Sequence, residues 1–198
     1  MKREALRFLL TATVLFFFSS IASAAPFYFE DFESSAGPEW SSGGVVTTPV
    51  GGRSFLGYFG SEQLAFTLGG LPAHTSITFT FDLFVIGTWD GNDTDYGPDI
   101  FEVALSGGDT LLRTTFSNVP GQPQSFPGAY PAGSFPALTG AAETGTLGYY
   151  LDSVYTISLT VPHSSANLNL LLSGIGLEGN RNELWGLDNV QVALDIPE

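Results

Sequence analysis

An acidic stretch near the middle of the chain has the residue types of a cation-binding loop. Residues 89–99 read WDGNDTDYGPD, and oxygen-bearing side chains alternate from Asp90 onwards, as in calcium loops. The EF-hand template itself fails, because its sixth position is Asp95 rather than glycine and its twelfth is Phe101 rather than glutamate. The alternative is a solvated hairpin in which Asp and Asn side chains cap turns. The predicted calcium ligands in this loop are Asp93 and Asp95.

A second acidic group lies towards the two ends of the chain. The motif EDFE places Glu30, Asp31 and Glu33 at the first predicted strand, and Asp188 lies in WGLDNVQV near the last one. By strand parity, Asp188 shares a face with the apolar residues of LDNVQVAL, and that face should be buried. A buried carboxylate needs a partner, which is a metal, an arginine or a set of backbone N–H groups. Because arginines are few, we expect a metal that bridges the terminal strands.

The N-terminus has the layout of a secretory signal peptide. Three basic residues precede the apolar run FLLTATVLFFF, and the sequence Ala-Ser-Ala then supplies a small-x-small cleavage pattern at residues 22–24. The apolar run is shorter than the roughly 20 residues that a membrane-spanning helix needs. We therefore predict a signal peptide over residues 1–24 and one secreted domain, extracellular or periplasmic, over residues 25–198.

The charge of the exported chain limits its partners. Residues 1–24 contain three of the six basic residues and one of the twenty acidic ones, so three arginines and nineteen acidic residues remain, for a net charge of −16. Such a surface repels nucleic acid and anionic membrane surfaces, whereas divalent cations and neutral sugars are compatible with it. The chain has no cysteine and therefore no disulfide bonds.

Alternating apolar and polar residues predict an all-β fold. Residues 75–85 read TSITFTFDLFV, which places apolar side chains on one face and mostly Thr and Asp on the other. Clusters of Gly, Pro, Asn and Asp separate similar runs, and no credible helical periodicity follows the signal peptide. Eight to ten strands without βαβ spacing predict a two-sheet antiparallel jelly-roll sandwich. The other runs are FYFEDF, QLAFTL, IFEVAL, TLLRTTF, VYTISLTV, LNLLLSGI and LDNVQVAL.

Residues 117–146, the Pro/Gly-rich segment, break this rhythm. They contain five prolines, five glycines and a single charged residue. A loop of this length in a compact domain is usually functional or mobile, and both interpretations stay open here. Its aromatic residues, among them Tyr130, favour a binding role.

The tryptophans offer a way to bind sugars. Trp40, Trp89 and Trp185 all adjoin small or acidic residues. Aromatic rings stack on the apolar faces of sugars while Asp and Asn accept hydrogen bonds from sugar hydroxyls. Tryptophan also commonly fills the core of a sandwich, and Trp89 is the one we expect to be exposed, because the acidic loop follows it. The predicted ligand-binding residues are Trp89, Asp90, Asn92 and Tyr130.

Catalytic motifs are sparse. The sequence has no cysteine nucleophile, no G-x-S-x-G and no H-E-x-x-H. His74 lies two residues after Pro72 at a strand entry, and His163 directly follows Pro162 at a strand exit. A pair of carboxylates would suit a glycosidase, but no pattern selects one among candidates such as Asp82 and Asp99.

Three stretches together resemble a known group of proteins. The FEDF start, the central FDLFVIGTWDG run and the closing WGLDNVQV resemble exported bacterial β-sandwich domains of the concanavalin A-like or galactose-binding jelly-roll type, which include many carbohydrate-binding modules. In such modules a calcium ion often joins the first and last strands, and the resemblance implies Glu30, Asp31 or Glu33 together with Asp188 as its ligands. The tail LDIPE resembles the C-terminal stub of PEP-CTERM proteins, without the apolar sorting helix that follows the stub in those proteins.

These observations predict a secreted, non-enzymatic β-sandwich that binds an extracellular glycan or matrix and is stabilised by calcium. Two alternatives stay open. One is a structural or adhesive matrix protein without a small ligand, and the other is a polysaccharide-degrading enzyme of jelly-roll fold. Neither nucleic-acid binding nor membrane insertion of the mature chain is expected.

Overall fold

A computed structural model of the chain describes residues 25–179 and 181–197. The predicted signal peptide lies outside the described residues. Within those two ranges, no helix is long and apolar enough to cross a membrane. The strands are β1 (Tyr28–Glu30), β2 (Val45–Thr47), β3 (Ser54–Phe59), β4 (Gln63–Gly69), β5 (Ser76–Gly87), β6 (Ile100–Leu105), β7 (Thr110–Thr115), β8 (Glu143–Thr144), β9 (Asp152–Pro162), β10 (Asn167–Ile175) and β11 (Glu183–Asp195).

The strands form two antiparallel sheets. The larger sheet has the order β2-β3-β11-β5-β9-β8, with β1 paired to the same side of β11 as β3, and the smaller sheet has the order β4-β10-β6-β7. The predicted fold class, an all-β two-sheet antiparallel jelly-roll sandwich, is confirmed. All eight alternating runs form strands, whereas β2, β3 and β8 carry no clear alternation and were not predicted.

The main core lies between the two sheets. It takes alternate residues of β5, including Phe79, Phe81 and Leu83, because successive side chains of a strand point to opposite faces. Leucines at alternate positions of β10 face them from the smaller sheet. All three tryptophans belong to this core, as their common role in sandwiches predicts.

A second apolar cluster covers part of the outer face of the larger sheet. Phe84 and Ile86 of β5 point away from the main core and pack with Phe55 of β3, Leu147 and Val154. The end of β5 is therefore apolar on both faces, which is why its sequence loses its alternation after Asp82. The segments that cover this cluster carry the tyrosines of the groove described below.

Asp188 lies on the face opposite to the one that strand parity predicts. It pairs directly with Asp82 on β5, so both side chains point away from the main core. A β-bulge then inserts one extra residue into β11, and Asn189 there has a φ of 51°. Because of that extra residue, Leu187 and Val190 both reach the core while Asp188 does not. The predicted face of Asp188 is wrong for this reason.

The Pro/Gly-rich segment is held by hydrogen bonds around one buried glutamine. Oε1 of Gln124 accepts hydrogen bonds from the backbone N–H groups of Ser117 and Leu138, each at 3.1 Å. Its Nε2 donates to the backbone carbonyls of Phe126 and Thr139. Two otherwise distant parts of the segment are thereby joined through a single side chain.

Candidate functional site

Three carboxylates meet at one end of the sandwich. Asp90 follows β5, Asp99 precedes β6, and Glu183 is the first residue of β11. Their ligand oxygens all lie within 4.8 Å of one another. We call Asp90, Asp99 and Glu183 the carboxylate cluster. A cluster of this composition has the donor atoms with which a hard divalent cation is bound.

Each of the two most buried carboxylates has one oxygen held by the backbone and one without a partner. The N–H of Asp90 donates to Oδ2 of Asp99, and the N–H of Glu178 donates to Oε2 of Glu183. Oδ1 of Asp99 and Oε1 of Glu183 are buried and have no hydrogen-bond partner. Asp99 is 0% exposed and Glu183 is 1% exposed, so bulk water does not solvate these oxygens.

Burial makes it costly to ionise the carboxylate cluster. Burial is the largest cause and the charge of Asp90 adds to it, so that the pKa of Asp99 is raised to about 7 and that of Glu183 to about 8. The pKa of Asp90 is also raised, first by burial and then by the charges of Asp93 and Glu178. The cluster therefore needs either a proton or a cation at neutral pH.

Sequence reasoning named Asp90 as a sugar ligand, and it assigned neither Asp99 nor Glu183 to a metal. A signal for Glu183 was present, because it alternates with Trp185 and Leu187 in β11 and so occupies a core-facing position. The same parity argument that failed at Asp188 holds at this end of the strand, before the bulge.

The predicted calcium ligands in the acidic loop have a different role. Oδ1 of Asp93 accepts hydrogen bonds from the N–H groups of Asp95 and Tyr96, at 2.8 and 3.0 Å. These bonds lower the pKa of Asp93 and close a turn, as the hairpin alternative proposed. In the described residues, the group of three or more metal-ligating side chains includes neither Asp93 nor Asp95.

Asn92 joins the acidic loop to the Pro/Gly-rich segment. Its Oδ1 accepts hydrogen bonds from the hydroxyls of Thr115 and Ser125, at 2.5 and 2.9 Å. Its Nδ2 donates to the carbonyl of Gly133 at 3.0 Å. All the hydrogen bonds found for this side chain are therefore made to other residues of the protein, and Asn92 anchors the loop.

Asp188 has an arginine as its partner, one of the three possibilities left open by the sequence. Arg53 Nη2 lies 3.3 Å from Asp188 Oδ2, and Arg53 Nη1 lies 3.0 Å from Glu143 Oε1. The N–H of Asn189 donates to Asp188 Oδ1 at 2.8 Å. Burial raises the pKa of Asp188 to about 6, although these partners oppose the rise.

The acidic residues near β1 accept hydrogen bonds from backbone N–H groups. Oε1 of Glu30 accepts from the N–H of Phe32, Oδ1 of Asp31 accepts from the N–H of Glu33, and Oε1 of Glu33 accepts from the N–H of Ser54. Glu30 pairs with Val190, a core residue, and therefore lies on the face opposite to Asp188. A cation that joined Glu30 to Asp188 would have to contact both faces of the sheet.

Trp89 is 0% exposed, so the expectation that it is open to solvent is wrong. Its indole N–H donates to the carbonyl of Leu184 at 3.1 Å, and its ring packs edge-on against Phe116. The acidic loop turns outward only after this residue. Tyr130 is half-buried in the Pro/Gly-rich segment, where its N–H donates to the carbonyl of Arg113.

A groove lined by tyrosines adjoins the carboxylate cluster. Tyr58, Arg181 and Leu184 line both a cavity of about 510 Å³ and a second one of about 290 Å³, and we call these two joined cavities the tyrosine groove. Tyr149 and Tyr150 line the smaller part, and Tyr150 is 79% exposed. The rings of Tyr58 and Tyr149 pack edge to face with their centroids 5.6 Å apart.

The larger part of the groove is polar. It is lined by Glu62, Glu178 and Arg181, and Glu183 of the carboxylate cluster contributes to the same wall. The tyrosine groove and the carboxylate cluster therefore share a side chain. Any change in the position of Glu183 would alter both.

Comparisons with known proteins give a distant structural likeness. No protein-family model and no curated protein sequence matches the chain. A carbohydrate-binding module of Cellvibrio mixtus lichenase 5A, solved in complex with cellotriose, is 14% identical with a TM-score of 0.41, over 85% of this chain and 98% of that one. The K3 cleaved adhesin domain of Lys-gingipain from Porphyromonas gingivalis is 14% identical with a TM-score of 0.42, over 85% and 99%.

A third structure, the family GH115 4-O-methyl-α-glucuronidase BtGH115A, is 13% identical with a TM-score of 0.44. The alignment covers 89% of this chain and 18% of the glucuronidase. Likeness at these values does not assign the chain to a family, and the function has to be argued from its own residues.

Proposed function

We propose that the protein is a secreted, non-enzymatic β-sandwich that binds an extracellular glycan or matrix and is stabilised by calcium. The observation that carries the proposal is the tyrosine groove, in which the exposed ring of Tyr150 lies beside the packed pair of Tyr58 and Tyr149. Export by the N-terminal segment, the extracellular or periplasmic location and the PEP-CTERM-like tail belong to the same proposal.

The composition of the groove suits a neutral sugar. The flat ring of Tyr150 offers a stacking surface for the apolar face of a pyranose, and packing against Tyr149 fixes the orientation of Tyr58. Arg181 supplies hydrogen-bond donors and Glu62 supplies acceptors for sugar hydroxyls. The volume of the larger cavity lies within the range of about 300–1,000 Å³ that is typical of small-molecule sites.

The acidic balance of the chain narrows the ligand class. With three arginines against nineteen acidic residues outside the N-terminal segment, the surface repels polyanions at low and moderate ionic strength. Neutral glucans, xylans or mannans are therefore favoured over sulfated or uronic-acid polymers. The Arg181 guanidinium then serves as a hydrogen-bond donor to hydroxyls rather than as a carboxylate clamp.

A glycan array with the purified protein tests this proposal, followed by titration with any neutral oligosaccharide that binds. Tyr150→Ala should weaken binding by at least about fivefold, since one well-placed aromatic ring contributes on the order of 1 kcal/mol or more. Tyr96→Ala is the matched control, because Tyr96 is also exposed, at 62%, and does not line the groove. The absence of any saturable spot on the array would overturn the proposal and favour a structural or adhesive matrix role.

The enzymatic alternative has one observation in its favour, which is the raised pKa of Glu183 at the wall of the groove. A general acid must reach the leaving oxygen of its substrate. Glu183 is 1% exposed, and its Oε2 is already held by the N–H of Glu178. Its position therefore favours a role in holding the loops over a role in proton transfer.

A further inference from the structure

The carboxylate cluster contains more negative charge than its hydrogen bonds can balance. Arg53 and Arg113 make the ion pairs found among the described residues, and both pair with carboxylates outside the cluster. Asp90, Asp99 and Glu183 thus lie within 4.8 Å of one another without a paired cationic side chain. Three carboxylates at this separation repel one another strongly in a buried site.

The unpartnered oxygens point to a ligand independently of the charge. Buried polar atoms in folded proteins almost always have a hydrogen-bond partner. In this cluster Oδ1 of Asp99 and Oε1 of Glu183 have none, although both side chains are at least 99% buried. The second oxygen of each carboxylate accepts a hydrogen bond from a backbone N–H. Each side chain is therefore held in place with one oxygen that has no donor.

From these two observations we infer that Asp90, Asp99 and Glu183 bind one divalent cation, calcium, at the end of the sandwich next to the tyrosine groove. The inference deepens the calcium part of the proposed function, and it does not depend on glycan binding. All the side-chain donors are carboxylate oxygens, with no histidine or cysteine among them, and this donor set suits calcium rather than zinc.

The cation would connect segments that are far apart in sequence. Asp90 and Asp99 bracket the acidic loop, and Glu183 begins β11 directly after the loop that lines the groove. Asn92 extends the connection to the Pro/Gly-rich segment through its hydrogen bonds to Ser125 and Gly133. One ion would therefore stabilise the acidic loop and hold the polar wall of the groove.

The principal competing interpretation is a proton shared between carboxyl groups. A shared proton would satisfy the lone oxygens of Asp99 and Glu183 and would remove one negative charge. It differs from a cation in a measurable way, because a proton-bridged pair gives no calcium-dependent heat and no calcium-dependent rise in melting temperature.

Calorimetric titration of the chelator-treated protein with calcium chloride tests the inference. The wild type should bind one calcium per chain, with a Kd on the order of 0.1–1 mM for an extracellular module, and its melting temperature should rise with calcium. Asp99→Asn and Glu183→Gln should each weaken binding by at least about tenfold and remove the rise in melting temperature. Asp95→Asn is the matched control, since it removes one carboxylate from the same loop outside the cluster.

Circular dichroism checks that each variant is folded, and Asp90→Asn takes the place of any variant that is not. Absence of calcium binding by the wild type would overturn the inference in favour of a shared proton. Calcium binding that is unchanged in the cluster variants would also overturn it, because the cation would then lie elsewhere. The glycan array, run once with calcium chloride and once in chelator, separates the two proposals. Glycan binding by a protein that binds no calcium removes this inference alone, and a calcium site without any glycan binding in calcium chloride removes the glycan proposal alone.

Discussion

Arg53 should be far more important for stability than Arg113, which also forms an ion pair. Its guanidinium contacts Asp188 at 3.3 Å and Glu143 at 3.0 Å, and it lies over the ring of Phe84 at 4.6 Å from the centroid. Substitution by methionine keeps the apolar stem but removes the charge. Asp188, whose side chain is 6% exposed, would then be left buried with only the backbone N–H of Asn189 to compensate it.

The expected cost follows from burial. Removal of one partner from a buried ion pair typically costs about 3–5 kcal/mol, because the remaining charge stays desolvated. The Arg53 side chain is 28% exposed, so solvent screens part of its interaction and the estimate falls to about 2–3 kcal/mol. Arg113, which pairs with Glu102 and is 40% exposed, provides the matched control, and Arg113→Met should cost about 1 kcal/mol or less.

Urea denaturation at pH 8 in chelator, followed by tryptophan fluorescence, measures both costs without interference from cations. The deficit of Arg53→Met should shrink as the pH falls towards 5. The pKa of Asp188 is already raised to about 6 in the wild type and rises further without Arg53, so protonation in the folded state relieves the uncompensated charge. Equal costs for the two arginine variants, or a deficit that does not change with pH, would refute the claim that Asp188 depends on Arg53.

Three further outcomes are expected. In chelator, the free energy of unfolding should fall as the pH rises from about 5 to 8. Burial raises the folded-state pKa values of Asp99 and Glu183 to about 7 and 8, so the folded state holds protons that the unfolded chain has lost. Urea titrations that show a flat or rising profile would contradict this. Asn92→Ala should cost about 2–3 kcal/mol, since three hydrogen bonds of its side chain are lost, and hydrogen exchange should accelerate in the Pro/Gly-rich segment rather than uniformly. Gly176→Ala should destabilise the protein by about 2 kcal/mol or more, because its φ is 86° and a Cβ there would overlap the backbone carbonyl of Pro98. Gly107→Ala is the control: its φ is 72° with open space around it, and it should cost only about 1 kcal/mol in thermal denaturation.

The strands of the sandwich were predictable because a strand that is buried on one face alternates apolar and polar residues in its own sequence. In β5, Phe79 and Phe81 alternate with threonines, and this pattern identifies both the strand and its buried face without any knowledge of its neighbours. The short strand β8 has only two residues, too few to show an alternating pattern, and it forms because it pairs with β9.

The candidate site was only partly predictable, since it depends on pairing between distant segments. Asp99 and Glu183 are brought together by the order of β5, β6 and β11 in the two sheets, and no local pattern encodes that order. The burial of Glu183 could have been inferred from its parity with Trp185. The face of Asp188 is reversed by the single extra residue at the bulge. The sequence marks this bulge, because the core-facing residues change from odd positions (Trp185 and Leu187) to even positions (Val190 and Val192) across Asp188 and Asn189.

The position of β11 within the larger sheet has a consequence for how the chain folds. This strand, the last in sequence, pairs with β5 on one side and with β3 and β1 on the other. A nascent chain that ends before residue 183 would therefore have exposed edges on three strands and an open core. The pairing of β1 with β11 joins the two ends of the domain, so its contacts are among those with the largest sequence separation in the fold. Contacts of large sequence separation form slowly. Chains truncated before residue 183 should therefore be digested by protease under conditions in which the full domain resists it.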